Sequence, residues 1–336
     1  MIRLFISFLA AFGIAALVGK FYVPWLRRVK AGQEIKEIGP NWHKTKAGTP
    51  TMGGVIFIAA VTVVVLTVGF SDYTRGSRGA LFVLLFSLFF GAIGFLDDFE
   101  KLKKKQNLGL SPKAKFILQL AVAVALLYLL RLEGYLEPHL YIPFWDTTVR
   151  IPEWLYFVFA AFVVVGTVNA VNLTDGLDGL AASVTIPVMV YYTAIAYMWG
   201  RQFAGLDVFT AGLTGGLFGF LLYNFYPAKC FMGDTGSLFL GGAVCGMAFA
   251  LDMPLVLVPV GIIFILETLS DIIQVGYFKL THGKRVFKMA PFHHHLEMGG
   301  WTGHKWKETQ IVALFTCVTV VFCVIAFFGT IHRFGL

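Results

Sequence analysis

Ala80-Leu-Phe-Val-Leu-Leu-Phe-Ser-Leu-Phe-Phe-Gly-Ala-Ile-Gly-Phe-Leu96 runs without a charge into Asp97-Asp98-Phe-Glu-Lys101-Leu-Lys103-Lys104-Lys105. An uncharged apolar run of this length crosses most of the ~30 Å hydrocarbon layer as a helix, the one single-segment structure that satisfies its own backbone there. Its abrupt end in two carboxylates and several lysines marks a membrane edge. Comparable runs recur at about 3–25, 53–70, 116–132, 154–171, 180–199, 208–225, 237–251, 255–278 and 309–331. The 336-residue chain is 57% hydrophobic and 14% charged, with a mean hydropathy of +0.76, and no soluble globule buries so many apolar segments. The expected fold is an all-α polytopic membrane protein of about ten transmembrane helices, one domain over 1–336.

The basic residues orient it. Nineteen of the 27 Lys and Arg fall in the stretches after odd-numbered runs (26–52, 97–115, 172–179, 226–236, 279–308). By the positive-inside rule those stretches are cytoplasmic and both termini are periplasmic. The net charge of +8 is then largely topological, and with no basic, aromatic-interleaved motif it points to no nucleic acid. The first run has only Arg3 before it, which suggests an anchor helix, not a cleaved leader. Outside, a small hairpin is expected near 141–152, with Tyr141, Trp145 and Trp154 in an aromatic belt. Four cysteines without metal-ligand spacing predict neither a zinc site nor disulfides.

Every polar cluster with chemical potential follows an odd-numbered run, so all of them can meet at one face. Asp97-Asp98 is a carboxylate pair at a helix C-terminus; it needs a divalent metal or lysines such as Lys101 and Lys113, unless it is a merely solvated helix end. Asn169, Asn172, Asp175 and Asp178 recur every three residues into Gly176 and Gly179, a spacing that lines one side of an unwinding helix end and suits a hydrated metal or a phosphate-sugar ligand. Asp234 sits between glycines in Phe231-Met-Gly-Asp-Thr-Gly-Ser237, before a helix N-terminus that attracts phosphate. Three consecutive imidazoles, His293-His294-His295, cannot all reach one ion, so ligand contact is favoured over zinc. His43-Lys44-Thr-Lys46, leading into Pro50-Thr-Met-Gly-Gly54, offers cations to phosphate without P-loop spacing. Glu267 and Asp271 share a face of the ninth run, and Gly215-Gly216, Gly219 and Gly241-Gly242 suit helix packing. Together these groups favour metal-assisted phosphoryl transfer between a soluble charged donor and a membrane-held acceptor. An ion-coupled transporter would instead cluster its polar residues at the midplane, and no internal repeat supports one. A membrane phosphatase lacks a signature here.

At these same residues the chain resembles the phospho-N-acetylmuramoyl-pentapeptide transferase family, in the superfamily of polyprenyl-phosphate N-acetylhexosamine-1-phosphate transferases. The match runs in order through Lys46–Gly54, Gly94–Phe99, Gly109–Lys113, Asn169–Gly179, Phe231–Ser237 and Met289–Glu297. The His-His-His and Pro-Thr-Met-Gly-Gly stretches favour this family over relatives that transfer N-acetylglucosamine phosphate. The resemblance implies ten helices, a homodimer among membrane lipids, and a cytoplasmic active site in the bacterial inner membrane. It implies transfer of phospho-MurNAc-pentapeptide from its UDP carrier to undecaprenyl phosphate. It makes Asp234 the main Mg²⁺ ligand with Asp97 and Asp98 beside it, and one of that pair the group that orients or deprotonates the lipid phosphate. Lys46, Lys113, Asn169, Asn172, Asp175, Asp178, His293, His294 and His295 fall on its substrate-contact positions. Direct attack and an aspartyl intermediate both fit. Glu267 matches the family, while Asp271 stands where an apolar residue is expected.

Overall fold

A computed structural model describes residues 1–29, 46, 48–104, 109–200 and 203–334. His43, Lys44 and Lys105 lie outside the described residues. All ten apolar runs are helical: α1 (Ile2–Arg28), α2 (Gly54–Thr67), α4 (Gly79–Lys104), α5 (Pro112–Leu132), α6 (Glu153–Thr174), α7 (Leu180–Met198), α8 (Leu206–Asn224), α9 (Gly233–Ala250), α10 with α11 (Leu257–Val260, Ile262–Leu280) and α13 (Glu308–Thr330). Short helices α3 (Phe70–Thr74) and α12 (Phe292–Glu297) lie between them. Seven helices among the described residues are long and apolar enough to cross a membrane, or eight with one bent pair. Helix length therefore supports fewer full crossings than ten. The 14 residues of α2 are too few, and α9 is an interior helix, buried from Thr235 to Ala250.

The ninth run is not one straight span. Pro254–Val260 and Ile262–Leu280 meet at 82°. The junction is Gly261, which closes α10 by donating to the Leu257 carbonyl and opens α11 by accepting from Ile265 N–H, both at 2.9 Å. Beyond the break, Glu267 lies on the buried side of α11.

Interior position makes α9 the post on which the site is built. Gly94 of α4 touches it so closely that a Cβ there would lie 2.1 Å from the Asp234 carbonyl oxygen. Gly241 and Gly242, expected at helix contacts, face the backbones of Val168 in α6 and Ser87 in α4. Small residues at crossings let helix backbones approach and gain dispersion contact where no hydrophobic drive exists. The chain before α2 is pinned to the lead-in of α9, because Phe231 N–H donates to the Pro50 carbonyl (2.7 Å) and Gly53 N–H to that of Phe231 (2.8 Å).

At the opposite end, β1 (His139–Ile142) and β2 (Thr147–Arg150) pair antiparallel, His139 opposite Arg150, close to where a hairpin is expected. Its tip docks on the last helix: Phe144 N–H donates to the Gly329 carbonyl at 2.8 Å. Trp145 and Trp154 are exposed, as an interfacial belt requires, whereas Tyr141 is buried beneath the Arg333 guanidinium and belongs to no belt. Asp252 joins this end together, accepting from Arg333 and His139 at 2.6 Å each. The four cysteines are free thiols.

Candidate active site

Asp97 and Asp98 end the apolar part of α4, and the Gly94 contact delivers them to the start of α9. Asp97, Asp98 and Asp234 each offer a carboxylate oxygen within 4.8 Å of the others. Asp98 caps α9 from a neighbouring helix. Its carboxylate accepts from Asp234 N–H (3.1 Å), Thr235 N–H (2.9 Å) and the Thr235 hydroxyl (2.7 Å). Helix starts leave such N–H groups without internal partners, and α9 has no side-chain cap of its own. Asp97 uses Oδ1 to accept from Leu110 N–H at 2.8 Å, which ties down the approach to α5, and keeps Oδ2 for the cluster.

Two ammonium groups balance the three acids. Lys101 Nζ lies 2.6 Å from Asp97, 2.9 Å from Asp234 and 3.8 Å from Asp98. Lys115 Nζ reaches Asp234 at 2.7 Å. Lys113, the residue expected here, is exposed on α5 and its neighbour two positions on makes the contact. Helix geometry explains the choice, since Lys115 and Gln119 are four apart and share the face turned to α6. Gln119 is buried and bonds Asn169, whose Nδ2 donates to Gln119 Oε1 at 2.7 Å and to the Val165 carbonyl at 2.8 Å. Asn169 is thus an α5–α6 tie. Asn172, three residues on, does enter the cluster and donates to Asp234 Oδ1 (2.9 Å) and the Ser237 hydroxyl (2.7 Å).

Asp175 follows as the C-cap of α6. Burial first, then the charges of Asp234, Asp98 and Asp178, raise its carboxyl to about 8. Asp178 is buried and turned elsewhere. It accepts from Ala228 N–H at 2.9 Å and from Lys46 Nζ at 2.7 Å, and the same ammonium lies 2.6 Å from Glu308 at the start of α13. Glu308 and Lys115 were not legible as site residues; the only sequence signals were a first-turn acid and an i, i+4 polar pair on an otherwise apolar helix.

The three histidines have three separate partners. His293 Nδ1 lies 2.7 Å from Glu267 in a fully buried pair. His294 Nδ1 lies 2.7 Å from Glu297 one turn on. His295 accepts from Lys288 N–H at Nδ1 (3.1 Å) and is packed among Phe287, Phe292 and Trp301. Burial and nearby Lys288 lower its pKa. His295 therefore organises the loop, His293 backs the site behind Gly176, and His294 is the partly exposed member.

A carboxylate cluster of hard oxygens, with ammonium groups interleaved, is suited to a divalent cation and phosphate. Asp97 and Asp234 fit as ligands most directly. Asp98 has three of its roughly four acceptor positions occupied. Such a centre, at one end of a bundle with helices long and apolar enough to cross a membrane, is suited to phosphoryl chemistry at a membrane face.

Comparison with known proteins agrees and narrows it. The glycosyl transferase family 4 model matches residues 80–252, and signature 1 of phospho-N-acetylmuramoyl-pentapeptide-transferase matches 46–58. Similar curated proteins carry that same name. One from Clostridium acetobutylicum is 46% identical over 97% of this chain and 98% of its own. One from Caldanaerobacter subterraneus subsp. tengcongensis is 43% identical over 97% and 98%. One from Acetivibrio thermocellus is 44% identical over 97% and 95%. The chain belongs to the phospho-N-acetylmuramoyl-pentapeptide-transferase family.

Proposed function

We infer that this protein moves phospho-MurNAc-pentapeptide from UDP-MurNAc-pentapeptide to undecaprenyl phosphate, forming lipid I and UMP in peptidoglycan synthesis. The observation that carries the reading is near-full-length similarity to transferases of that name. In the reaction an oxygen of the lipid phosphate attacks the sugar-bearing phosphorus of the donor. The bond to the uridine-side phosphate breaks, and UMP leaves with that bond's electron pair.

Each residue of the cluster has a role in this exchange. Lys101 and Lys115, now paired with Asp97 and Asp234, are the cations that take up diphosphate oxygens as substrate enters. Asp97, whose Oδ2 faces the cluster, orients the lipid phosphate or removes its proton. Asp98 fixes the α9 N-terminus, and Asn172 fixes the Asp234 carboxylate. Mg²⁺, held by Asp234 with Asp97 and Asp98, would neutralise the diphosphate and the leaving phosphate. Asp175 and His294 supply contacts to nucleoside and sugar, while Asp178, Lys46 and Glu308 brace the wall beside them.

The basic-residue bias supports placing this face in the cytoplasm and both termini in the periplasm of a bacterial inner membrane. Ten helical segments then cross or enter the membrane, the shorter α2 and interior α9 sheltered by their neighbours, and the family resemblance adds a homodimer. Mass spectrometry of the lipid product tests the substrate. Purified protein given undecaprenyl phosphate and either UDP-MurNAc-pentapeptide or UDP-GlcNAc is expected to make the muramoyl lipid alone. A GlcNAc lipid would replace the donor and keep the chemistry.

A further inference from the structure

Glu267 and His293 form a buried pair behind the site, one from α11 and one from α12. The carboxylate is 0% exposed and the histidine 1%. Both carboxylate oxygens are used on the same residue: Oε1 accepts the His293 backbone N–H at 3.1 Å, and Oε2 lies 2.7 Å from Nδ1. A carboxylate has no proton to offer, so Nδ1 carries the hydrogen. That leaves Nε2 as a bare acceptor. It is buried and has no hydrogen-bond partner among the described residues.

The position of that atom is specific. A Cβ on Gly176 would lie 2.3 Å from His293 Nε2, so the imidazole edge takes the space a side chain would need. Gly176 is exposed and follows Asp175, so one bare backbone unit separates the orphaned acceptor from the open site. A doubly protonated ring would leave an Nε2–H donor buried without an acceptor. A buried polar atom left without a partner is costly, and a site built to bond a ligand is where such an atom belongs.

Building on the transferase reading above, we propose that Glu267 is a positioning residue. It locks His293 as the Nδ1–H tautomer, so that Nε2 accepts a hydrogen bond from a hydroxyl or amide N–H of the sugar-nucleotide donor entering beside Gly176. Glu267 never touches substrate; it acts through the ring.

Glu267→Gln isolates the claim because it preserves shape. The backbone N–H of His293 can only donate, so it keeps the one amide oxygen. The amide NH₂ then faces Nδ1 and forces it to become an acceptor. The ring proton moves to Nε2, and the acceptor beside Gly176 is lost. Two readouts follow on detergent-solubilised protein. Histidine ¹⁵N NMR, with a His293→Gln sample for assignment, is expected to show Nδ1–H in the parent and Nε2–H in Glu267→Gln. UMP-release kinetics are expected to show kcat/KM for the UDP-MurNAc-pentapeptide donor lowered at least about tenfold, one good hydrogen bond's worth, with KM for the lipid phosphate unchanged. Gly176→Ala places a methyl group against Nε2 and is expected to give the same selective loss, which keeps the test open should Glu267→Gln fail to fold. A Glu267→Gln ring that still carries Nδ1–H overturns the proposal. So does a swapped tautomer with parental kcat/KM, which would leave Glu267 as a tether between α11 and α12. The NMR readout needs no turnover, so an inactive parent with the Nδ1–H tautomer would sink the transferase reading while leaving the tautomer lock standing.

Discussion

Lys115 and Lys113 differ by two positions on one helix and by everything in their surroundings. Lys115 holds Asp234 at 2.7 Å, whereas Lys113 is exposed. Lys115→Ala is expected to lower kcat/KM by roughly ten- to a hundredfold, the worth of a charge-assisted hydrogen bond of about 1.5–3 kcal/mol. Lys113→Ala should stay within a few-fold, as steady-state UMP release will show. Asp175 makes a pH prediction. Its carboxyl is raised from 3.8 to about 8 by burial and by neighbouring carboxylates. Between those values the folded protein holds a proton that the unfolded chain gives up, so stability falls as pH rises through the window. Thermal unfolding of metal-free protein should show this decline, and Asp175→Asn should flatten it. A parental slope in the variant would assign the pH dependence to other groups.

At the scale of elements, the α4–α9 crossing decides whether the carboxylates form one centre. A methyl on Gly94 would meet the Asp234 backbone at 2.1 Å and drive the two helices apart. Overpacking of this kind costs about 1–3 kcal/mol. Its functional effect should be larger, because Asp97 and Asp98 would leave Asp234 with every ligand still in the chain. In the parent, Mg²⁺ at a hundred times its Kd should stabilise the fold by about 2.7 kcal/mol. Gly94→Ala should lose that gain in a thermal-shift titration, as Asp234→Asn should. Motif positions at the ends of apolar runs were legible because the hydrocarbon layer fixes where each run stops, and the structure gathers Asp97, Asp98, Asn172 and Asp234 there. Lys115, Gln119 and Glu308 were not, because their role is set by which helix face meets a neighbour. The 82° break was also hidden, since an apolar count is blind to a junction such as Gly261 at which one run becomes two helices. The roles of the three histidines were equally invisible, for adjacent identical residues diverge only through partners distant in sequence, such as Glu267 and Lys288.

For the whole molecule, polar groups at the ends of α4, α5, α6, α9 and α13 gather on one side and the hairpin with its Arg333–Asp252–His139 group closes the other. The charge bias predicts which side is which. In a variant lacking the four native cysteines, Lys305→Cys should be closed to a membrane-impermeant maleimide added to intact cells, and Thr148→Cys should be open to it. The reverse pattern would invert the topology and remove the active site from its nucleotide donor. The central claim, that the Asp97–Asp98–Asp234 centre transfers a sugar phosphate from a nucleotide to a lipid, is tested most directly by UMP release from purified protein. UDP-MurNAc-pentapeptide, undecaprenyl phosphate and Mg²⁺ should together yield UMP, and omission of the lipid, EDTA or Asp234→Asn should each abolish it. UMP formed without lipid phosphate, or undiminished in Asp234→Asn, would contradict the account.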